Sequence, residues 1–246
     1  MEINKIYNED CLTTMSKMND DFVDIVVTSP PYNIGRSRRD RKKNVYLKYD
    51  NYNDNIKLKD FFKQIDQWIN ELHRVTKYHV FFNIQEVAGN KGIIKHIYQN
   101  HSDKIKHVFF WIKNNPPSAI NDTGIAKAYE HIFCFSKDNP TKSTFNYCNF
   151  SNKNGDYMKN IIIKPVNSDI ETRGHNFAFG DWLPKHFIHY FSKEGCLVYD
   201  PFMGTGTTAK ASHVLKRNWI GTEISPKYVD LANKRLKPYL NQLTMF

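Results

Sequence analysis

Cysteine is scarce in this chain of 246 residues, with only Cys11, Cys134, Cys148 and Cys196. They form no CxxC pair and no compact Cys/His set, which excludes a zinc module. Without a secretory context, their scatter favours reduced thiols over a disulfide framework. The opening residues, Met1-Glu2-Ile3-Asn4-Lys5, carry no apolar signal-peptide core. No apolar run approaches the roughly 20 residues of a membrane span. The expectation is a cytoplasmic protein with no metal and no membrane partner. Acidic residues are outnumbered, 25 against 35 Lys and Arg, giving a net charge of +10. Such an excess suits a polyanionic partner. An AT-rich genome, which enriches Lys, Asn and Ile, gives the same bias.

Hydrophobic content is 40%, enough for a buried core in one large domain or a domain with an insertion. Phe22–Thr28 is almost wholly apolar, as a strand covered on both faces should be. Leu58, Phe61, Phe62, Ile65, Trp68, Ile69, Leu72 and Val75 follow the i, i+3, i+4, i+7 spacing of an amphipathic helix. Tyr78–Ile84 reads as a strand, and Val87–His101 as a second helix with Ile93, Ile94, Ile97 and Tyr98 inward. Ile105–Ile112 and His131–Phe135 are further strands. From Asp138 to about Arg173 the pattern weakens into Asn, Lys, Ser and Gly, the composition of an insertion outside the core. Pro184 suits the first position of a helix with Leu183, Phe187, Ile188 and Phe191 on its apolar face. Strand Cys196–Tyr199, helix Thr207–Leu215 and strand Trp219–Glu223 follow. Ser225-Pro226 then opens a last helix as N-cap and first residue. Strands alternating with helices predict an α/β fold, doubly wound on a mainly parallel sheet.

Two strand ends run into unusual loops. The late one is Asp200-Pro201-Phe202-Met203-Gly204-Thr205-Gly206-Thr207-Thr208. Glycines between a strand and a helix allow a tight turn and close approach to a ligand. The loop lacks the GKS/T ending of a P-loop and the full GxGxxG of dinucleotide folds. Glu223, seventeen residues past Gly206, stands where an acid can accept both ribose hydroxyls. Asp200 would repel a dinucleotide phosphate but suits the ammonium of a methionine moiety. That chemistry favours S-adenosylmethionine over NAD. A tight turn with purely structural glycines is the alternative.

The early loop is Thr28-Ser29-Pro30-Pro31-Tyr32. Two prolines stiffen the turn and remove two N–H donors. The Ser29 oxygen and the Pro30 carbonyl are acceptors, and Tyr32 offers a stacking face. Such a set can hold an exocyclic amine of an aromatic ring, whose nitrogen lone pair is delocalised. Two acceptors bonding its two hydrogens draw the nitrogen toward sp³ geometry and aim its lone pair at an electrophile. A rigid Pro-Pro turn with a surface tyrosine is the alternative here.

At these residues the chain resembles the DNA amino-methyltransferases, which methylate adenine N6 or cytosine N4. The resemblance covers nearly the whole chain apart from Arg36–Lys43 and residues near 138–173. Ser29 to Tyr32 match the family's catalytic loop. Phe202, Gly204 and Gly206 match its Phe-x-Gly-x-Gly loop, and Glu223 matches its acid. Asn8-Glu9-Asp10-Cys11 resembles the contact with the cofactor adenine. His175-Asn176-Phe177-Ala178-Phe179 resembles, more loosely, the segment that closes over the methionine end. The resemblance thus implies a cofactor set of Asp10, Cys11, Thr28, His175, Asp200, Pro201, Phe202, Gly204, Gly206, Thr207, Thr208 and Glu223. Ser29, Pro30, Pro31 and Tyr32 would be catalytic.

A catalytic motif that precedes the cofactor motif is the order of the β class. It divides the chain into a catalytic half (1–137), a short target-recognition insertion (138–173) and a cofactor half (174–246). Thr28-Ser29 favours cytosine N4 over adenine N6 as target. A protein-glutamine or RNA methyltransferase, or a non-catalytic DNA-binding subunit, are the readings from other classes. Cytosine C5 chemistry needs an attacking thiolate in a Pro-Cys pair, which the chain lacks. The base must be flipped out of double-stranded DNA to be reached. Arg36, Arg38, Arg39, Arg41, Lys42 and Lys43, just past the catalytic turn, can grip phosphates beside it. Lys153, Lys159, Lys164 and Arg173 could help from the recognition region. The family implies a bacterial, archaeal or phage source, a cognate restriction endonuclease or orphan status, and, by analogy, a homodimer.

Overall fold

A computed structural model describes residues 1–34, 39–40, 45–46, 52–116, 123–139, 141–142, 144–150, 157–166 and 180–241. In chain order the strands are β1 Lys5–Tyr7, β2 Val23–Thr28, β3 Arg39–Asp40, β4 Val45–Tyr46, β5 Thr76–Ile84, β6 Ile105–Lys113, β7 Tyr129–Ser136, β8 Ile161–Lys164, β9 Leu197–Asp200 and β10 Asn218–Thr222. The α-helices are α1 Cys11–Ser16, α2 Leu58–Val75, α3 Ile93–His101, α4 Trp182–Phe191, α5 Thr207–Val214 and α6 Pro226–Asn241. β3 and β4 pair as a small antiparallel ribbon.

The other eight strands form one sheet in the order β1-β10-β9-β2-β5-β7-β6-β8. The five strands from β1 to β5 run parallel, and β7 is antiparallel to both its neighbours. The doubly wound architecture expected from the sequence is present. Alternation from Ile25 to Val27, with a register irregularity between Val23 and Ile25 that moves Val23 to the other face, explains both layers of cover. Ile25 and Val27 pack with α4, α5 and α6 through Phe187, Ala209 and Leu236. Val23 and Val26 pack with α1, α2 and α3 through Met15, Ile65 and Ile97. On α2, Phe61, Ile65, Trp68, Ile69, Leu72 and Val75 are buried. Each such side chain contributes about 1.5–3 kcal/mol by leaving water.

Several elements differ from the expectation. The segment 87–101 is not one helix. A 3₁₀ turn at Ala88–Asn90 is separated from α3 by Gly92, whose φ of 89° breaks the helical path. Leu58 and Tyr98 sit at apolar-face spacing yet are about 42% exposed, and Tyr98 keeps only an edge contact with Phe133 of β7. Pro184 is the third residue of α4, after the N-cap Asp181, rather than the first. Part of the stretch read as an insertion is built into the core. β8 adds a parallel edge strand beside β6, and Phe145, Cys148 and Phe150 pack against the α4 side of the sheet.

What matters for the site is the seam between β9 and β2. These strands are neighbours, with Ile25 opposite Val198 and Val26 opposite Tyr199. They lead the sheet's two halves, which run outward in opposite directions. A cleft at the carboxyl ends of such strands is where ligands bind in open α/β sheets.

Candidate functional site

One cleft opens at this switch point, and its walls come from the loops that follow four of the five parallel strands. Glu9, Asp10 and Cys11 follow β1; Ser29 and Pro31 follow β2; Pro201–Thr205 and Thr207 follow β9; Glu223, Ile224 and Tyr228 follow β10. Tyr52 and Trp68 close one side. The early and late motifs therefore meet in one cavity.

Local chemistry explains each wall. Asp10 is the N-cap of α1, its carboxylate accepting from the Leu12 N–H at 2.8 Å. Burial, with the Asp10 charge adding, pushes the Cys11 thiol up. That keeps it a neutral packing group. Gly206, at φ 82°, caps α5, and a Cβ there would lie 3.1 Å from the Ala232 Cβ. Its backbone and its close packing on α6 both call for glycine. Glu223 accepts the Gly204 N–H at 2.9 Å and the Ser225 N–H at 2.8 Å. Burial raises its pKa, opposed by those two donors. Phe202 lays its ring edge-on to Trp68, with centroids 4.7 Å apart. Arg235 braces the loop from α6 by donating to the Thr207 hydroxyl at 2.9 Å.

Three of the expected cofactor residues are bonded to one another. Asp200 is 1% exposed and does not line the cleft. Its carboxylate accepts from the Thr28 hydroxyl at 2.7 Å, the Thr208 hydroxyl at 2.6 Å and the Phe202 N–H at 3.0 Å. Burial pushes its pKa up to about 6. Thr28, Thr208 and Asp200 thus lock the two loops together behind the cleft wall. His175, Arg36, Arg38, Arg41, Lys42 and Lys43 lie outside the described residues, as do Lys153 and Arg173. Arg39 is described in its backbone alone.

The Ser29–Tyr32 turn is pinned at both ends. Beyond it, Asn33 donates to the carbonyls of Ile56 and Gly89 and accepts the Ile56 N–H, while Asp54 takes the Asn33 and Ile34 N–H groups. Within it, the Ser29 and Tyr32 hydroxyl oxygens are 2.9 Å apart. The Tyr32 hydroxyl also contacts Glu130 Oε2 at 2.8 Å and Asn83 Nδ2 at 2.8 Å. Sequence reasoning missed Tyr52, Trp68, Asn83, Lys113 and Glu130 as site neighbours. A signal existed for Asn83 and Glu130. Each is a polar side chain inside an apolar strand, which needs a buried partner.

Comparison with known proteins agrees with this geometry. Residues 23–234 match the N6/N4 methyltransferase family model, described as DNA methylase. The chain is 27% identical over 249 residues to the Type II methyltransferase M.HinfI of Haemophilus influenzae, covering 96% of this chain and 68% of that one. A 66-residue stretch, 27% of this chain and 25% of the relative, is 50% identical to the orphan methyltransferase M.BamHII of Bacillus amyloliquefaciens. Among solved structures, the cytosine-N4-specific PvuII DNA methyltransferase superposes with a TM-score of 0.70 at 16% identity, over 97% of this chain and 92% of that one. TTHA0409 of Thermus thermophilus, solved with S-adenosyl-L-methionine, gives 0.63 at 19% identity over 98% and 95%.

Proposed function

We propose, from the premise that this chain belongs to the N6/N4 DNA methylase family, that it methylates the exocyclic amine of a base flipped out of duplex DNA, with cytosine N4 as the target. The observation that carries this reading is the shared cleft. Ser29 and Pro31 of the rigid turn face the same cavity as Gly204 and Glu223. The cofactor is S-adenosylmethionine, as in the Thermus relative solved with it. The donor chemistry fits: Glu223 offers acceptor oxygens for hydroxyls, and the glycine loop brings backbone close to the ligand. When bound, the cofactor supplies a methyl group on a sulfonium.

The chain's own residues do the rest. Ser29 Oγ and the Pro30 carbonyl accept the two amine hydrogens and localise the nitrogen lone pair. The Pro30-Pro31 pair and the Asn33 anchor keep those acceptors fixed, so orientation costs little when the base arrives. The surplus amine proton leaves to water. Cytosine is supported by the Thr28-Ser29 pair and by the PvuII enzyme's stated specificity. Arg36–Lys43, next to the turn, would hold the flanking phosphates. The Type II relatives support a place in a cytoplasmic restriction–modification system, beside a nuclease for the same site.

The test is direct. Incubating the protein with methyl-labelled cofactor and unmethylated DNA, followed by digestion to nucleosides, should yield N4-methylcytosine. N6-methyladenine would correct the base and keep the class. Label in protein or RNA, with none in DNA, would end the proposal.

A further inference from the structure

Behind the catalytic turn lies a buried polar cluster that a bare amine clamp does not require. Glu130 on β7 is 6% exposed, Lys113 on β6 is 7% and Asn83 on β5 is 1%. Glu130 Oε1 pairs with Lys113 Nζ at 2.6 Å. Its other oxygen meets the Tyr32 hydroxyl at 2.8 Å and Asn83 Nδ2 at 2.7 Å. The Asn83 amide orientation follows from this, because the reverse would set its oxygen against a carboxylate. It leaves Asn83 Oδ1 buried and unpartnered among the described residues. An orphaned oxygen at such a place means that the amide's orientation is dictated by the carboxylate, at a cost.

Counting hydrogens gives the cluster a direction. A tyrosine hydroxyl has one hydrogen. The carboxylate is the strongest acceptor it touches, and hydrogen bonds to charged acceptors are roughly twice as strong as neutral ones. The Tyr32 hydrogen therefore goes to Glu130. Asn83 Nδ2 can only donate to Tyr32. The remaining hydrogen, between Tyr32 and Ser29, is then the serine's own. With it turned toward Tyr32, and with Asn83 Nδ2 making a long contact of 3.4 Å to the same oxygen, a Ser29 lone pair is left for another donor, and each bond in the chain polarises the next.

We infer that Glu130 is a positioning residue for methyl transfer, acting through Tyr32 to hold Ser29 Oγ as an acceptor facing the target amine. The inference rests on the proposed function. Without the carboxylate, Tyr32 can turn its hydrogen onto Ser29 and fill the lone pair the amine needs.

The experiment is single-turnover methylation at saturating cofactor and DNA, with cofactor affinity measured separately. Glu130→Gln should slow the step by about tenfold, one hydrogen bond's worth, with affinity changed less than twofold. Glu130→Asp, which keeps the charge, should recover part of the loss. Tyr32→Phe keeps the ring and the ion pair and should show a similar loss. The double variant Tyr32→Phe/Glu130→Gln should lose no more than the slower single one. Adding Lys113→Met to Glu130→Gln removes the stranded ammonium and guards against misfolding. A wild-type rate in Glu130→Gln, additive losses in the double variant, or rate, affinity and melting temperature falling together would each overturn the inference. A wild-type chain that labels no DNA would instead end the functional proposal itself.

Discussion

The glycine loop and the Ser29–Tyr32 turn sit side by side, yet they are held in different ways. The glycine loop is fixed mainly through its own backbone. Met203 N–H bonds to the Thr222 carbonyl, Gly206 N–H to the Met203 carbonyl, and Gly204 N–H to Glu223. The Ser29–Tyr32 turn has lost two N–H donors to proline and is fixed by side chains. They reach it from β5, β7 and β9, through Asn83, Glu130 and Asp200, with Lys113 of β6 pairing Glu130 behind them. A backbone-built loop suits a ligand recognised by close approach. A side-chain-built turn suits chemistry, since each hydroxyl can be given a direction. On this comparison, damage to the turn should appear in rate and damage to the loop in affinity.

The largest effect should come from Ser29→Ala, which deletes an acceptor in the turn. By analogy with removal of one preorganised hydrogen-bonding group from an active site, single-turnover methylation should fall by about 10²–10³-fold. Cofactor affinity should stay within about threefold, because the glycine loop is untouched. A collapse of affinity would show that the two regions are not separable in this way.

Next in size is the seam itself. The Asp200 pKa is raised from 3.8 to about 6 by burial. The folded state therefore binds this proton more tightly than the unfolded chain. The resulting stability is fully present below about pH 4 and is lost as pH rises through about 6. Asp200→Asn has no such proton. The stability of the wild type relative to this variant should thus fall by roughly 3 kcal/mol between pH 4 and 7, two pKa units' worth. Denaturant midpoints of both proteins across that range give the difference. A constant difference would mean that the Asp200 charge is compensated by its three donors.

The same contrast explains what could be read from the sequence. Asp200, Gly204, Gly206 and Glu223 are close along the chain, and strand, turn and helix signals frame them. Ser29 to Tyr32 were legible for the same reason, directly after an apolar strand. Thr28 and Asp200 were singled out, but not their bond, which joins residues 172 apart. Tyr32 and Glu130 are 98 apart and meet only because β7 inserts antiparallel beside β5. No local pattern encodes that strand order. The segment Val87–His101 departs from its expected single helix for a related reason: apolar spacing continues across Gly92, while the left-handed backbone there separates the 3₁₀ turn from α3.

The smallest effect should come from Glu223→Gln. Both carboxylate oxygens already accept backbone N–H groups, from Gly204 and Ser225. Each oxygen keeps a second lone pair for a ligand hydroxyl. A glutamine supplies one oxygen and presents its NH₂ to a backbone donor, so one bond to the loop and one ligand acceptor disappear. Loss of a charge-assisted hydrogen bond predicts about tenfold weaker cofactor binding or more. The methylation rate at saturating cofactor should stay near wild type, because the turn keeps its own supports from β5, β6 and β7. Equilibrium binding and single-turnover rates, measured on one preparation, separate the two outcomes. A fall in the saturated rate as large as the fall in affinity would mean that the glycine loop also sets the geometry of the reacting groups, and the division of labour would be gone.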